Sequence, residues 1–342
     1  MTLRVPHAID GATYTSDQIR MMQQAAALGA EGIIDVADLI VRPRATPGTG
    51  VRIGRGQALV RGRDGLDPGD TSGQGTYAVY NDADVDVPLT GTDGAGARQD
   101  LLILRVEDPT WPGAGWDHDP ETDPMVYPYV IQGVPAGTAT IPAEYRWSAI
   151  PLARIEWPSN TATVTAGMIK TVRWVANPKS LLVKRVQRGV EPIDYAGNVQ
   201  APDWENWPDL VWPDVTIPSW ATQVQVDAIW GQAGFFPGDK AGGSGSTDAR
   251  GRVRVALGPG AQTIYTGTSA YNENEDPNNG KRVAIFNFDQ IPIPPALRGT
   301  TTNLRMQVSG EAGVRGRLRA DGAANFRVDL LFQEVAIEDV DE

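Results

Sequence analysis

The sequence predicts an all-β protein with one short N-terminal helix: an N-terminal β-barrel-like domain followed by a C-terminal antiparallel β-sandwich of jelly-roll-like type. Three observations carry this. From residue 36 onward the apolar residues recur with a period of two in short runs. Those runs are punctuated by many of the chain's 38 Gly and 26 Pro. Only one early segment carries a helical pattern.

That segment is "TSDQIRMMQQAAALGAEGII", where Thr15 can cap the helix with Gln18 three residues later and Gly29 or Gly32 can end it. The spacing predicts a helix over about residues 16–28, within an extension spanning 1–35. Ile19, Met22 and Ala26 fall on one face, a stripe suited to docking on a neighbour but too short for a coiled coil.

The first β domain is expected over 36–159. Its strands are "ADLIVRP", "GVRIG", "GQALVRG", "GTYAVYND", "ADVDVPL" and "ARQDLLILRVEDPTW", then, after a loop from Pro109 to Met125, "YPYVIQG" and "WSAIPLARIEWP". Residues 160–200 alternate weakly, with several basic residues and two prolines, and are expected as an ordered linker arm. The sandwich is expected over 201–342. It follows the Trp-rich stretch "DWENWPDLVWPDVTIPSW" and uses "TQVQVDAIW", "RVRVALG", "QTIYTG", "KRVAIFNF", "NLRMQVSG", "VRGRLRA" and "NFRVDLLFQEVAI".

A chain of 342 residues exceeds what one ordinary core supports, which agrees with two domains. The formal net charge of −12 leaves no basic surplus to displace counterions from a phosphate backbone, so nucleic acid is not an expected partner. With no Cys there is neither a disulfide framework nor a thiolate metal site. No signal-peptide h-region and no membrane-length apolar run occurs, so the chain is expected to be made in the cytoplasm without a membrane span.

Candidate chemistry is sparse. His7 and His118 are the only histidines, too little for a Ser-His-Asp arrangement or a His-based metal site. "DHDPETD" (117–123) and "NENEDPNNG" (272–280) offer oxygen ligands for a hard cation. The first lacks the Gly turn and distal Glu of a calcium loop, and the second has Pro277 where Gly is needed. Asp203, Glu205, Asp209 and Asp214 could supply paired carboxylates for glycoside hydrolysis, but acids are abundant in this chain. The Gly-rich run "GDKAGGSGSTDARG" lacks the residue order of a phosphate-binding loop. No catalytic set, cofactor or metal is therefore expected. Five of the ten Trp lie between 204 and 230; of these Trp204, Trp207 and Trp212, with Tyr271, are candidate sugar contacts, and core packing is the competing reading.

The order of "GVRIGRGQALVRG", "GTYAVYNDADVDVPL", "ARQDLLILRVEDPTW", "YVIQGVPAGTATIP" and "IPLARIEWPSNTATVT" resembles minor tail, or baseplate, proteins of long-tailed bacteriophages infecting actinobacteria. Gly56, Ala58, Val60 and Gly62 match one strand of that family, and Tyr77, Val79 and Asn81 another. The most specific match is Arg98, Asp100, Leu101, Arg105, Val106 and Asp108, followed by Gly133–Gly137 and Pro151–Ile155. Residues 215–228, 251–258 and 297–307 extend the likeness to sandwich domains attached to such proteins.

The resemblance implies a virion structural protein at the tail tip, without enzymatic activity, partnered by other tail and baseplate proteins. It also implies a homotrimer or multiple of three, with the first domain joining the baseplate and the second facing outward. Binding of a host cell-wall glycan is the alternative it leaves open, and a cell-wall polysaccharide hydrolase a weaker third. Along Ala97–Trp111, Leu102, Leu104 and Val106 face one way and Leu101, Ile103, Arg105 and Glu107 the other. Arg105 and Glu107 are thus expected as a same-face clasp next to Asp108, with scaffold rather than catalytic charges.

Overall fold

A computed structural model describes residues 10–11, 13–64, 74–94, 96–111, 119, 121–192, 194–196, 203–236, 248–273, 281–314 and 316–336. It comprises two units, Met1–Pro178 with Val335–Glu342, and Lys179–Glu334.

Unit 1 begins with α1 (Ser16–Ala26), where the Thr15 N–H donates to Gln18 Oε1 at 3.0 Å. The helix docks through its polar side. Arg20 is buried, whereas Ile19, Met22 and Ala26 are exposed. Gly75, at φ +77° in the left-handed region, lets the helix approach: a Cβ there would lie 2.6 Å from the carbonyl carbon of Arg20.

The strands of unit 1 are β1 (Gly32–Ile33), β2 (Val41–Pro43), β3 (Gly50–Ile53), β4 (Gly56–Arg61), β5 (Thr76–Asn81), β6 (Val85–Pro88), β7 (Arg98–Val106), β8 (Val126–Ile131), β9 (Ala149–Trp157) and β10 (Ile169–Thr171). They form three small antiparallel sheets, in the orders β1-β4-β5, β2-β3-β6 and β10-β9-β7-β8. All three contribute to one core that includes Ile33, Val51, Val60, Leu102, Leu152 and Trp157. The opposite face of β7 packs Leu101 and Ile103 against Ile131, Val134 and Ala149. This strand is therefore buried on both sides, as its unbroken apolar run requires.

Unit 2 contains β11 (Ser180–Arg188), β12 (Asp194–Ala196), β13 (Glu205–Thr216), β14 (Gln223–Phe236), β15 (Ala249–Leu257), β16 (Ile264–Tyr265), β17 (Ser269–Glu273), β18 (Arg282–Pro292), β19 (Thr301–Gly310), β20 (Arg317–Ala320) and β21 (Asn325–Gln333). Three pairs of these are single strands interrupted by a turn. β20 and β21 lie end to end along one side of β14, β11 and β12 lie end to end beyond them, and β16 and β17 both pair with β15. Eight long strands result. One sheet runs β11/β12, β20/β21, β14, β18, and the other runs β13, β19, β15, β16/β17. Numbered one to eight along the chain, these orders are 1-8-3-6 and 2-7-4-5, the double Greek key of a jelly roll.

The alternation of each strand explains the packing. Val224, Val226, Ala228 and Trp230 of β14 point inward, as do Phe326, Val328, Leu330 and Phe332 of β21 and Leu304, Met306 and Val308 of β19. A polar clasp joins the sheets at one edge: buried Asn287 accepts from Thr266 Oγ1 at 2.6 Å and donates to the Gly267 carbonyl at 2.8 Å.

Two expected boundaries differ. Residues 160–200 are not one linker: β10 pairs with β9 of unit 1, whereas β11 pairs with β21 along nine residues of the sandwich. β11 reads weakly because it is an edge strand with six of its nine residues exposed and none buried. The sandwich also ends earlier than 342, since Glu334 closes unit 2 and Ala336 packs against the core of unit 1.

The turn that interrupts β20/β21 is held by Asp321, whose carboxylate pairs with Arg282 at 2.7 Å and accepts the Ala323 N–H at 3.0 Å. The hydrogen bond from Arg282 and that backbone N–H hold the Asp321 carboxyl well down, at about 2. Its folded-state value lies below the unfolded one, so the stability it contributes is present above the ordinary carboxylate range and is lost as pH falls through about 2. The Asp321→Asn chain is expected to be less stable at pH 7 and to show a flatter stability profile between pH 4 and 2. Calorimetric melts across that window check it, and parallel profiles would contradict it.

Candidate functional site

Charged residues flank the apolar run of β7 at both of its ends. At its start, Arg98 and Asp100 make a two-pronged ion pair, Nε to Oδ1 and Nη2 to Oδ2, both at 2.8 Å. Asp100 is fully buried and its Oδ1 also accepts the Gly133 N–H at 3.0 Å. Gln99 holds the other end of the same loop, its side chain accepting the Gly137 N–H at 3.0 Å and its carbonyl the Val134 N–H at 2.8 Å. Arg98 further donates to the Thr90 carbonyl and lies over Trp157. The two most specific segments of the sequence resemblance, Arg98–Asp108 and Gly133–Gly137, are thus fastened to each other. Arg98, Gln99, Gly133, Val134, Trp157 and Met168 border an open cleft of about 630 Å³.

At the far end of β7, Arg105 and Glu107 pair at 2.6 Å while nearly buried, with side-chain exposures of 11% and 5%. The Arg105 guanidinium sits 4.2 Å from the Trp147 ring centroid. Burial pushes the neighbouring Tyr127 hydroxyl up, and its hydrogen bond to Glu107 adds to this. Asp108 then receives the Tyr77 hydroxyl and Arg20 Nη1, each at 2.9 Å, and Arg20 Nε donates to the Gln74 carbonyl at 2.9 Å. That pairing accounts for the polar docking of α1. Asp64, 3% exposed, accepts the Ser148 N–H; burial pushes its carboxyl up against the lowering effect of Ser148. Arg98 and Asp100 thus pair at one end of β7, while Arg105 with Glu107, and Asp108 with Arg20, pair at the other.

The candidate sugar contacts do not share a face. Trp207 is fully buried, stacked edge-on against Phe326 with 5.4 Å between centroids, and its carbonyl accepts Trp230 Nε1 at 3.0 Å. Tyr271 is also in this core, 6% exposed, its hydroxyl pushed up by burial and by Glu205. Trp212 is partly buried against the same core. Trp207 and Tyr271 are corrected from sugar contacts to core residues. A jelly roll of this size needs large apolar side chains between its sheets, and β13 reverses which face it presents at an irregularity between Asn206 and Val211. Trp204 alone lies outside, against Arg254.

Asp203, Asp209 and Asp214 are exposed, and Glu205 is half-buried toward Tyr271. Of the 117–123 loop, Asp119 and residues 121–123 are described, with the Glu121 N–H donating to Asp119 Oδ1 and the Asp119 N–H to Asp123 Oδ2. Among the described residues no cluster of three or more His, Asp or Glu is placed to hold a metal ion. His7, His118, Asp117, residues 238–247 and residues 274–280 lie outside the described residues. No described helix is long and apolar enough to cross a membrane.

Fold and site together define an all-β protein of two units, one of them an eight-stranded jelly roll, with a charged strand scaffold in the other. No family model matches the sequence, and no curated protein does. Among solved structures, the chain is similar to infectious bursal disease virus, Gx strain, at 10% identity and TM-score 0.23, covering 89% of this chain and 79% of that one. It is also similar to the VP2 subviral particle of infectious bursal disease virus at 9% identity and TM-score 0.26, covering 90% and 75%. Likenesses at these scores carry no argument about this chain.

Proposed function

We propose that the chain is a non-catalytic structural protein of a bacteriophage virion, placed at the tail tip or baseplate, with unit 1 as the assembling part. The observation that carries this reading is α1, which docks by buried Arg20 and leaves Ile19, Met21 and Met22 outward, with Leu28 beyond it 90% exposed. An apolar helical stripe left outside its own core is surface for a neighbouring subunit. The fastened segments Arg98–Asp108 and Gly133–Gly137 support the same reading through the sequence resemblance.

Homotrimeric assembly, or a multiple of three, follows from a place on a tail axis. In unit 2, β18 presents Phe286 and Phe288 outward as a stacked pair, and Leu182 and Val186 of β11 are also exposed. Antibody labelling of purified virions is the test. Signal at the tail tip in copies of three or six is the expected result; virions that lack the chain, or carry it only on the capsid, overturn the proposal.

A further inference from the structure

We propose that Arg254 is the centre of an oxyanion-binding site for an acidic glycan on the outer face of the sheet formed by β13, β19 and β15. Val253, Val255 and Leu257 of β15 point into the core, so Arg252 and Arg254 point out. Tyr265 and Trp204 clamp the Arg254 guanidinium from two sides, at 3.9 and 4.1 Å from carbon to ring centroid. Its Nε donates to Gln307 Oε1 at 2.8 Å, and Gln307 is itself held by Asn206 at 3.2 Å.

The guanidinium is thereby fixed in position while its two terminal nitrogens make no hydrogen bond within the described residues. That is the geometry of a fork awaiting two oxygens of one carboxylate or phosphate. No described carboxylate pairs with it, nor with Arg252 or Arg305 on the same face. Arg305 uses Nη2 on the Gly258 carbonyl and Thr263 Oγ1, while its buried Nε has no partner. In a chain of net charge −12, three arginines on one face without a carboxylate partner among the described residues form a local positive field. Burial holds Arg254 below the ordinary arginine range, and Arg305 adds to this, as expected of a cation awaiting a counter-charge.

A glycan is the carrier that the surroundings fit. Tyr265 keeps 43% exposure while covering the cation, and Trp204, Gln307 and Asn206 add ring and amide groups of the kind that seat sugar hydroxyls. The proposal stands whether or not the chain belongs to a tail tip, because it concerns the isolated protein.

The test is titration of the full chain, at low and moderate salt, with poly(glycerol phosphate), polygalacturonate, neutral dextran and single-stranded DNA. Binding of one acidic glycan but not dextran is expected, and the phosphate and carboxylate polymers separate the two oxyanions. Arg254→Ala should abolish it, and Arg254→Lys, which keeps the cation but not the fork, should weaken it tenfold or more. Arg327→Ala, on the other sheet, should leave it unchanged. The proposal is overturned if neither acidic glycan binds, if Arg254→Lys binds as the parent does, or if DNA binds as tightly as the glycans.

Discussion

Trp207→Ala is expected to destabilise unit 2 by about 3–5 kcal/mol, the range for removing a fully buried large aromatic side chain. The indole is completely excluded from solvent and packs edge-on against Phe326. Its loss would open a cavity between the two sheets that neighbours in regular strands cannot collapse to fill. The Trp207 carbonyl also accepts the Trp230 indole N–H, so any shift of the backbone would strip a buried donor of its partner. Hydrogen exchange on the full chain reads unit 2 separately from unit 1. Amides of β14, β19 and β21 should exchange at least a hundredfold faster, with β7 and β9 unchanged. Trp207→Phe should fall between. If Trp207 were a sugar platform instead, Trp207→Ala would leave these amides protected and reduce only glycan binding.

The same residue shows where the sequence was legible and where it was not. Strand periodicity located most strands of unit 2, as where Val224, Val226 and Ala228 alternate with Gln223, Gln225 and Asp227. The jelly-roll order itself depends on long-range pairing, such as β11 with β21, which local alternation does not encode. β13 is the local failure. Its irregularity between Asn206 and Val211 breaks the period of two, so Trp207 and Trp212, at positions of opposite parity, both turn toward the core. A Trp-rich stretch with a broken period looks the same in sequence whether its rings are core or surface.

The helix shows a second kind of limit. Residue spacing placed Ile19, Met22 and Ala26 on one face and Arg20 on another, but not which face meets the fold. That choice is set by Asp108 and Tyr77, distant in sequence, which give buried Arg20 a carboxylate and an aromatic ring. Arg254 was legible in part, since the alternation of Arg252, Val253, Arg254 and Val255 already separates a basic face from an apolar one. Its clamping by Trp204 and Tyr265 requires three strand segments to meet.

Arg105→Ala is expected to destabilise unit 1 by about 3–5 kcal/mol, the cost of leaving one member of a buried ion pair without its partner. The pair lies at the one point where β7 passes from a strand buried on both faces to a charged turn, so neither charge can swing into water without pulling on Val106 and Asp108. Removing Arg105 also uncovers the Trp147 ring and takes the guanidinium away from the Glu107 carboxylate, which sits beside the Tyr127 hydroxyl. The decisive comparison is the double replacement Arg105→Met with Glu107→Leu, which removes both charges and fills similar volume. It should recover most of the loss, because a buried pair contributes little net stability over an apolar substitute of matching shape. Hydrogen exchange at β7 and β8 would report both variants in the full chain. A double variant as unstable as Arg105→Ala would mean that the clasp stabilises by its own attraction, whereas a harmless Arg105→Ala would mean that the charges at the end of β7 are not part of the scaffold.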